Sequence, residues 1–133
     1  MVQYKLVKFN NSKSEYNGYY YAKADHEETY DLDALVKHMA NHNSPFSEGT
    51  ISGVLKDMVS CIRELLLDSK KVKLDDLAIF SLSLKSQMVS DKSIFNASNN
   101  IKGAHVNALG TGEFAYKQLQ IDPKFKEKSE YTK

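Results

Sequence analysis

Four small groupings in this chain carry residue types that do chemistry elsewhere at comparable spacing. His38 and His42 stand four apart beside a helical pattern, a spacing that can turn two imidazoles toward one metal ion. Met39 follows His38 where a metalloprotease helix has its glutamate, and no third ligand is evident, so no metal site is expected. Asp75 and Asp76 are adjacent; neighbours on a strand point to opposite faces and cannot work as a carboxylate pair. "GTGEF", residues 110–114, puts two glycines before a helical pattern but lacks the third glycine and the lysine of phosphate-cradling loops. Cys61 lies in an apolar helical pattern, which predicts an inert core thiol, and a lone cysteine forms no internal disulfide. With no triad, no carboxylate pair and no ligand cluster, the sequence reads as a protein without enzymatic activity, cofactor or metal.

The remaining chemical signal is charge. The net charge of +1 is unevenly spread: residues 1–24 carry +3, residues 25–68 carry −6 and residues 69–105 carry +3 again. An acidic body with a basic extension is the organisation this implies, although lysines also decorate exposed strand edges and discourage aggregation. The basic extension opens with "KKVKLDDLAIFSLSLKSQ", residues 70–87. Val72 and Leu74 share one strand face, Asp75-Asp76 break the run, and Phe80, Leu82 and Leu84 share one face of a second strand.

The elements that position this stretch follow from periodicity. "VQYKLVKF" and "YYYAKA" alternate on either side of a polar loop ending in Asn17-Gly18 and read as a β-hairpin within residues 1–24. Tyr19, Tyr20 and Tyr21 are expected to cover a core edge, packing the hairpin on the body together with Tyr4 and Leu6. Asp31 caps a helix with the stripe Leu32, Leu35, Val36 and Met39, which "NHNSP" ends. Ser47 caps a second, with Phe46 stapled onto Ile51. Its apolar positions Ile51, Val54, Leu55, Met58, Val59, Ile62, Leu65 and Leu66 make a stripe wider than one short helix and a hairpin bury, which implies a second copy of the chain. "KSQMVSDKSIFNASNN" turns and returns as the strand "IKGAHVNAL". "GTGEFAYKQLQ" restarts a short helix, with Thr111 as its cap and Phe114 packed inward. The charged tail is read as mobile beyond Phe125. The domain expectation is one unit over 1–125, with an added hairpin at 1–24, a core at 30–119 and a mobile tail at 126–133.

In this order of elements the chain resembles the HU/IHF family of bacterial nucleoid DNA-binding proteins, within it the HU-like subgroup with an extra N-terminal β-hairpin. "DLDALVKHMANHNSPFSEGTISGVLKDMVSCIRELLLDSKKVKLDDLAIFSLSL" and "FNASNNIKGAHVNALGTGEF" carry the resemblance. It implies an α+β, HU/IHF-like fold: an intertwined homodimer with a helical body, a β-sheet saddle and protruding β-arms that grip the DNA minor groove. Leu55, Met58, Val59, Ile62, Leu66 and Phe80 would form the dimer core. Lys70, Lys71, Lys73, Lys85, Lys92 and Lys102, with His105 when protonated, would meet DNA phosphates.

The chain departs from the family at the arm. The family's Arg-Asn-Pro tip corresponds to "MVSDKSIFNAS", with neither arginine nor proline. Met88, Val89, Ile94 and Phe95 are the apolar wedge candidates left. The family's glycine-phenylalanine turn is replaced by Leu77-Ala78-Ile79-Phe80, and the returning strand is nearly neutral. Phosphate neutralisation supplies essentially all non-specific DNA affinity, so these departures imply weaker binding.

Two readings result. One is an architectural, largely sequence-independent protein that binds and bends duplex DNA as a homodimer. The other is a scaffold of the same fold with weak or lost DNA binding, acting through protein partners. No apolar run long enough for a bilayer and no signal-peptide core are seen, so a cytoplasmic, nucleoid location without membrane contact is expected.

Overall fold

The computed structural model describes residues 1–128. The elements run β1 (Val2–Lys8), β2 (Tyr20–Ala24), α1 (Leu32–Ala40), α2 (Glu48–Leu67), β3 (Val72–Leu74), β4 (Ala78–Ser86), α3 (Ala97–Asn100), β5 (Ile101–Gly110), α4 (Tyr116–Leu119) and β6 (Phe125–Glu127). Short 3₁₀ turns lie at Lys92–Ile94 and Gly112–Phe114. The chain is thus mixed α+β, with four helices and two three-stranded sheets among the described residues.

Both main helices start where cap chemistry dictates. The Asp31 carboxylate accepts from the Ala34 N–H at 2.9 Å, and Ser47 Oγ accepts from the Thr50 N–H at 3.1 Å, each satisfying a first-turn donor that the helix cannot. Phe46 and Ile51 line one apolar groove across the start of α2, the placement a hydrophobic staple requires. The end of α2 explains why no linker follows it. Ser69 takes left-handed backbone at φ 61, its N–H donates to the Leu66 carbonyl, and the Lys70 N–H donates back to Leu65 at 3.0 Å. This is a Schellman closure made by a serine where glycine is usual. It turns the chain from helix into β3 within a few residues.

α1 packs on α2, and α2 packs on β3 and β4. Only Val36, Ile51, Leu66 and Ala78 are buried among the described apolar residues. Val54 is 62% and Val59 55% exposed, so the α2 stripe is wider than this single chain covers. Cys61, expected in the core, is exposed. It belongs to the part of α2 that α1 and the sheet leave uncovered.

The second sheet has the order β3-β4-β5, antiparallel throughout, and the ladder between β4 and β5 runs from Ala78↔Gly110 to Ser86↔Ile101. Beyond the ladder, residues 87–100 fold into a compact cap. The Gln87 N–H donates to the Asn100 carbonyl at 2.8 Å, and the side chains of Asp91 and Asn96 accept from the Ser93 and Ser98 N–H groups. After β5, Thr111 stands at the N-cap position of the 3₁₀ turn but makes no side-chain capping bond; its hydroxyl donates to the Leu74 carbonyl at 3.5 Å instead. Phe114 is 48% exposed rather than packed inward. In each case the chain's path over the β3–β4 turn decides what helical periodicity suggested otherwise.

The first sheet has the order β2-β1-β6. The hairpin of β1 and β2 forms as expected, with Lys5↔Lys23 and Leu6↔Ala22 in register. Its third strand is the surprise. The chain expected to be a loose tail beyond Phe125 continues through Lys126 and Glu127 in parallel pairing with Val2–Tyr4, because the free edge of β1 offers a row of unpaired donors and acceptors. Residues 129–133, the rest of that expected tail, lie outside the described residues. β1 makes its extensive contacts with β2 and β6, and Tyr19, Tyr20 and Tyr21 are all exposed. The tyrosines therefore do not cover a core edge as expected.

Candidate nucleic-acid interface

Alternation sorts the β3-β4-β5 sheet into two unlike faces. On one, Phe80, Leu82 and Leu84 stand opposite Ala108, Val106 and Ala104, with Val72 beside Phe80. This is the apolar face. On the other, Ser81, Ser83 and Lys85 stand opposite Asn107, His105 and Gly103, and Lys73 of β3 joins them through its pairing with Ile79. The Asn107 side-chain amide donates to Ser83 Oγ across the ladder. None of the three strands contains an acidic residue, so the field over this polar face comes from Lys73 and Lys85.

The structure divides the sequence-derived candidates. Lys73, Lys85 and His105 share the polar face. Lys71 is exposed just before β3. Lys70 folds back, its ammonium in an exposed pair with the Asp68 carboxylate at the end of α2. Lys102 is the extra residue of a bulge between the pairs Lys85↔Gly103 and Ser86↔Ile101, and its ammonium donates to the Asn99 carbonyl at 2.7 Å. Lys92 lies in the 3₁₀ turn of the cap. Ser81, Ser83 and Asn107 escaped the sequence reading, which followed charge alone. The period-two run "FSLSLKS" holds the signal that would have found the two serines.

The cap at 87–100 carries the wedge candidates. Met88 is 96% exposed, and Ile94 and Phe95 are exposed as well. Hydrogen bonds from the Ser93 backbone and side chain hold the Asp91 carboxyl below its ordinary range, which ties the start of the 3₁₀ turn. The His38 and His42 rings lie 4.6 Å apart with their planes tilted by 54°, and Tyr30 meets His38 edge-on at 6.2 Å. Among the described residues no group of three or more His, Cys, Asp or Glu converges as a metal cage. Asp75 and Asp76 sit in the β3–β4 turn, Asp76 at φ 59. Among the described residues no helix is long and apolar enough to cross a membrane.

The sequence model of the HU-HIG family, described as an HU domain fused to wHTH, Ig, or glycine-rich motif, matches residues 1–119. The chain belongs to the HU-HIG family. The matched span of this HU-HIG chain takes in β1 and β2, and β6 lies past its end. No curated protein matches significantly. A crystal structure of a Bacteroides vulgatus protein, provisionally assigned as a bacterial DNA-binding protein, is similar with a TM-score of 0.69 at 13% identity. The alignment covers 95% of this HU-HIG chain and 47% of that one, so the likeness is one of fold and the chain spans under half of that structure's length.

Proposed function

We propose that this chain is an architectural DNA-binding protein that binds and bends duplex DNA as a homodimer, largely without regard to sequence. The observation that carries the reading is the acid-free polar face of β3-β4-β5, with Lys73, Lys85 and His105 set among Ser81, Ser83 and Asn107. Lysines there neutralise phosphates, and the hydroxyl and amide groups add hydrogen bonds to the backbone, contacts that position a protein without reading bases. HU-HIG membership over residues 1–119 and the fold shared with a protein provisionally assigned to DNA binding support the same conclusion.

Burial supports the dimer. Four buried apolar residues are a small core for a chain of this length, while Val54, Val59 and the groove of Met39, Phe46, Ile51 and Leu55 stay open. A second copy would cover Leu55, Met58, Val59 and Ile62, join the two polar faces into one saddle and double its lysines. Residues 1–125 would act as one HU-like domain, located in the nucleoid. Met88, Ile94 and Phe95 on the cap are the wedge for a base step, with Lys92 beside them and Lys71, Lys70 and Lys102 at the saddle's margins. Non-enzymatic action without cofactor belongs to this reading.

One observation favours the scaffold alternative: the cap presents Met88, Ile94 and Phe95 with Lys92 as its lone cation, a surface suited equally to a protein partner. Titrating linear and pre-bent duplexes at several salt concentrations separates the two. Salt-dependent binding supports the DNA reading; its absence at low ionic strength overturns it in favour of the scaffold.

A further inference from the structure

We propose that the β2-β1-β6 sheet is a second nucleic-acid site, taking single-stranded nucleic acid on its basic, tyrosine-bearing face. The register assembles that face. Lys5 stands directly opposite Lys23, Tyr21 opposite Val7, and Lys126 of β6 beside Gln3; alternation puts all of them on one side, with Tyr19 following Tyr21. Two lysines opposed across a ladder repel and weaken the pairing. Two acids border this face: Asp25 is engaged by Lys128 at 2.8 Å and reaches Lys5 at 3.9 Å, and Glu27 accepts from the Gln3 side-chain amide at 2.6 Å, which leaves Lys23 and Lys126 without an ion pair among the described residues. A polyanion laid along β1 would relieve that repulsion.

The aromatic end supplies the second half of the recognition chemistry. Phe9, Tyr16, Tyr19, Tyr20 and Tyr21 line an open cleft of about 320 Å³. Tyr19 is 60% and Tyr21 48% exposed, yet the loop that carries the cluster is tied down. The Tyr19 N–H donates to the Tyr16 carbonyl at 2.9 Å, the Asn11 N–H to the Asn17 side chain at 3.0 Å, and the Tyr16 ring meets Tyr19 edge-on at 5.5 Å. Rings held open beside a lysine track are what unstacked bases with a phosphate backbone need: π-faces for bases and cations for phosphates. A duplex keeps its base faces stacked inside and gains nothing from the rings. A second copy of the same face would set lysines against lysines.

This site is separate from the β3-β4-β5 face, and the test keeps them apart. Binding of fluorescent oligothymidine to the full chain is followed by anisotropy, with inorganic polyphosphate as a base-free comparison. Tyr19→Ala and Tyr21→Ala should each weaken oligothymidine about tenfold and leave polyphosphate unaffected, while Tyr21→Phe keeps wild-type affinity. Lys23→Gln and Lys126→Gln should each flatten the dependence of log affinity on log salt by about 0.7. Lys73→Gln and Lys85→Gln should leave oligothymidine binding unchanged. The chain has no tryptophan, so oligothymidine should also quench tyrosine emission, and should quench it less in Tyr21→Phe; this readout stands even where Tyr21→Ala fails to fold. The proposal is overturned by absence of oligothymidine binding at low salt, by polyphosphate binding as tightly with no effect of the tyrosines, or by loss of binding in Lys85→Gln, which would place the strand on the other sheet.

Discussion

Gly112 lies against Asp76 so closely that a Cβ on the glycine would come 2.9 Å from the Asp76 Cα and overlap its carboxylate. Both residues hold left-handed backbone, at φ 58 and φ 59. The close approach locks the exit of β5 onto the β3–β4 turn, helped by the Thr111 N–H donating to the Leu77 carbonyl at 3.1 Å. Gly112→Ala adds both a backbone penalty and a clash, and should cost about 2–4 kcal/mol in urea denaturation. Asp76→Gly in the same background should recover part of that stability; failure to recover any would show that the close approach is not the cause.

Ser69 invites the opposite change. A serine at φ 61 bears a steric cost that glycine does not. Ser69→Gly should raise stability by about 0.5–1 kcal/mol, read as a higher urea midpoint with unchanged slope. A lower midpoint would mean that the serine contributes something beyond the helix stop.

The proposed dimer makes α2 intolerant of charge. Ile62→Asp or Val59→Asp would place an unpaired carboxylate where a second copy docks, and should unfold the protein rather than release folded monomers. Sedimentation should find the wild type dimeric at micromolar concentration. A well-folded wild-type monomer would remove the saddle.

Salt dependence separates the lysines. Lys73→Gln or Lys85→Gln should reduce the slope of log duplex affinity against log salt by about 0.9 for each phosphate no longer neutralised, hence about 1.8 in a symmetric dimer. Lys70→Gln should change it little, since that ammonium is already paired with Asp68. Equal effects from all three would mean diffuse charge, with no defined face.

Asp25 sets a pH dependence. The hydrogen bond from Lys128 first, and then the charges of Lys128, Lys5 and His26, hold its carboxyl below the ordinary value of 3.8. A depressed folded pKa contributes stability that is complete above the unfolded value and is lost as pH falls through the folded one. Wild type should therefore melt above Asp25→Asn at neutral pH, with the gap closing only below about pH 4. A gap that persists in strong acid would assign the effect to packing.

What the residues determine alone is local. Asp31 and Ser47 start their helices because a side-chain oxygen must meet first-turn donors, and the apolar stripe of α2 and the alternation of "VKLDDLAIFSLSL" follow from helix and strand periods. These signals, with the order of elements, are enough to place the chain near HU. Tertiary structure decided what periodicity does not encode. Pairing across distance carried Phe125–Glu127 onto β1, and register alone put Lys5, Lys23 and Lys126 on one face. The fold also left Cys61 and the three tyrosines exposed, and turned the Thr111 hydroxyl to Leu74. Charge and spacing in a sequence name candidates for a surface. Only the register and the closing turns say which share it, because a strand shifted by one residue presents its other face.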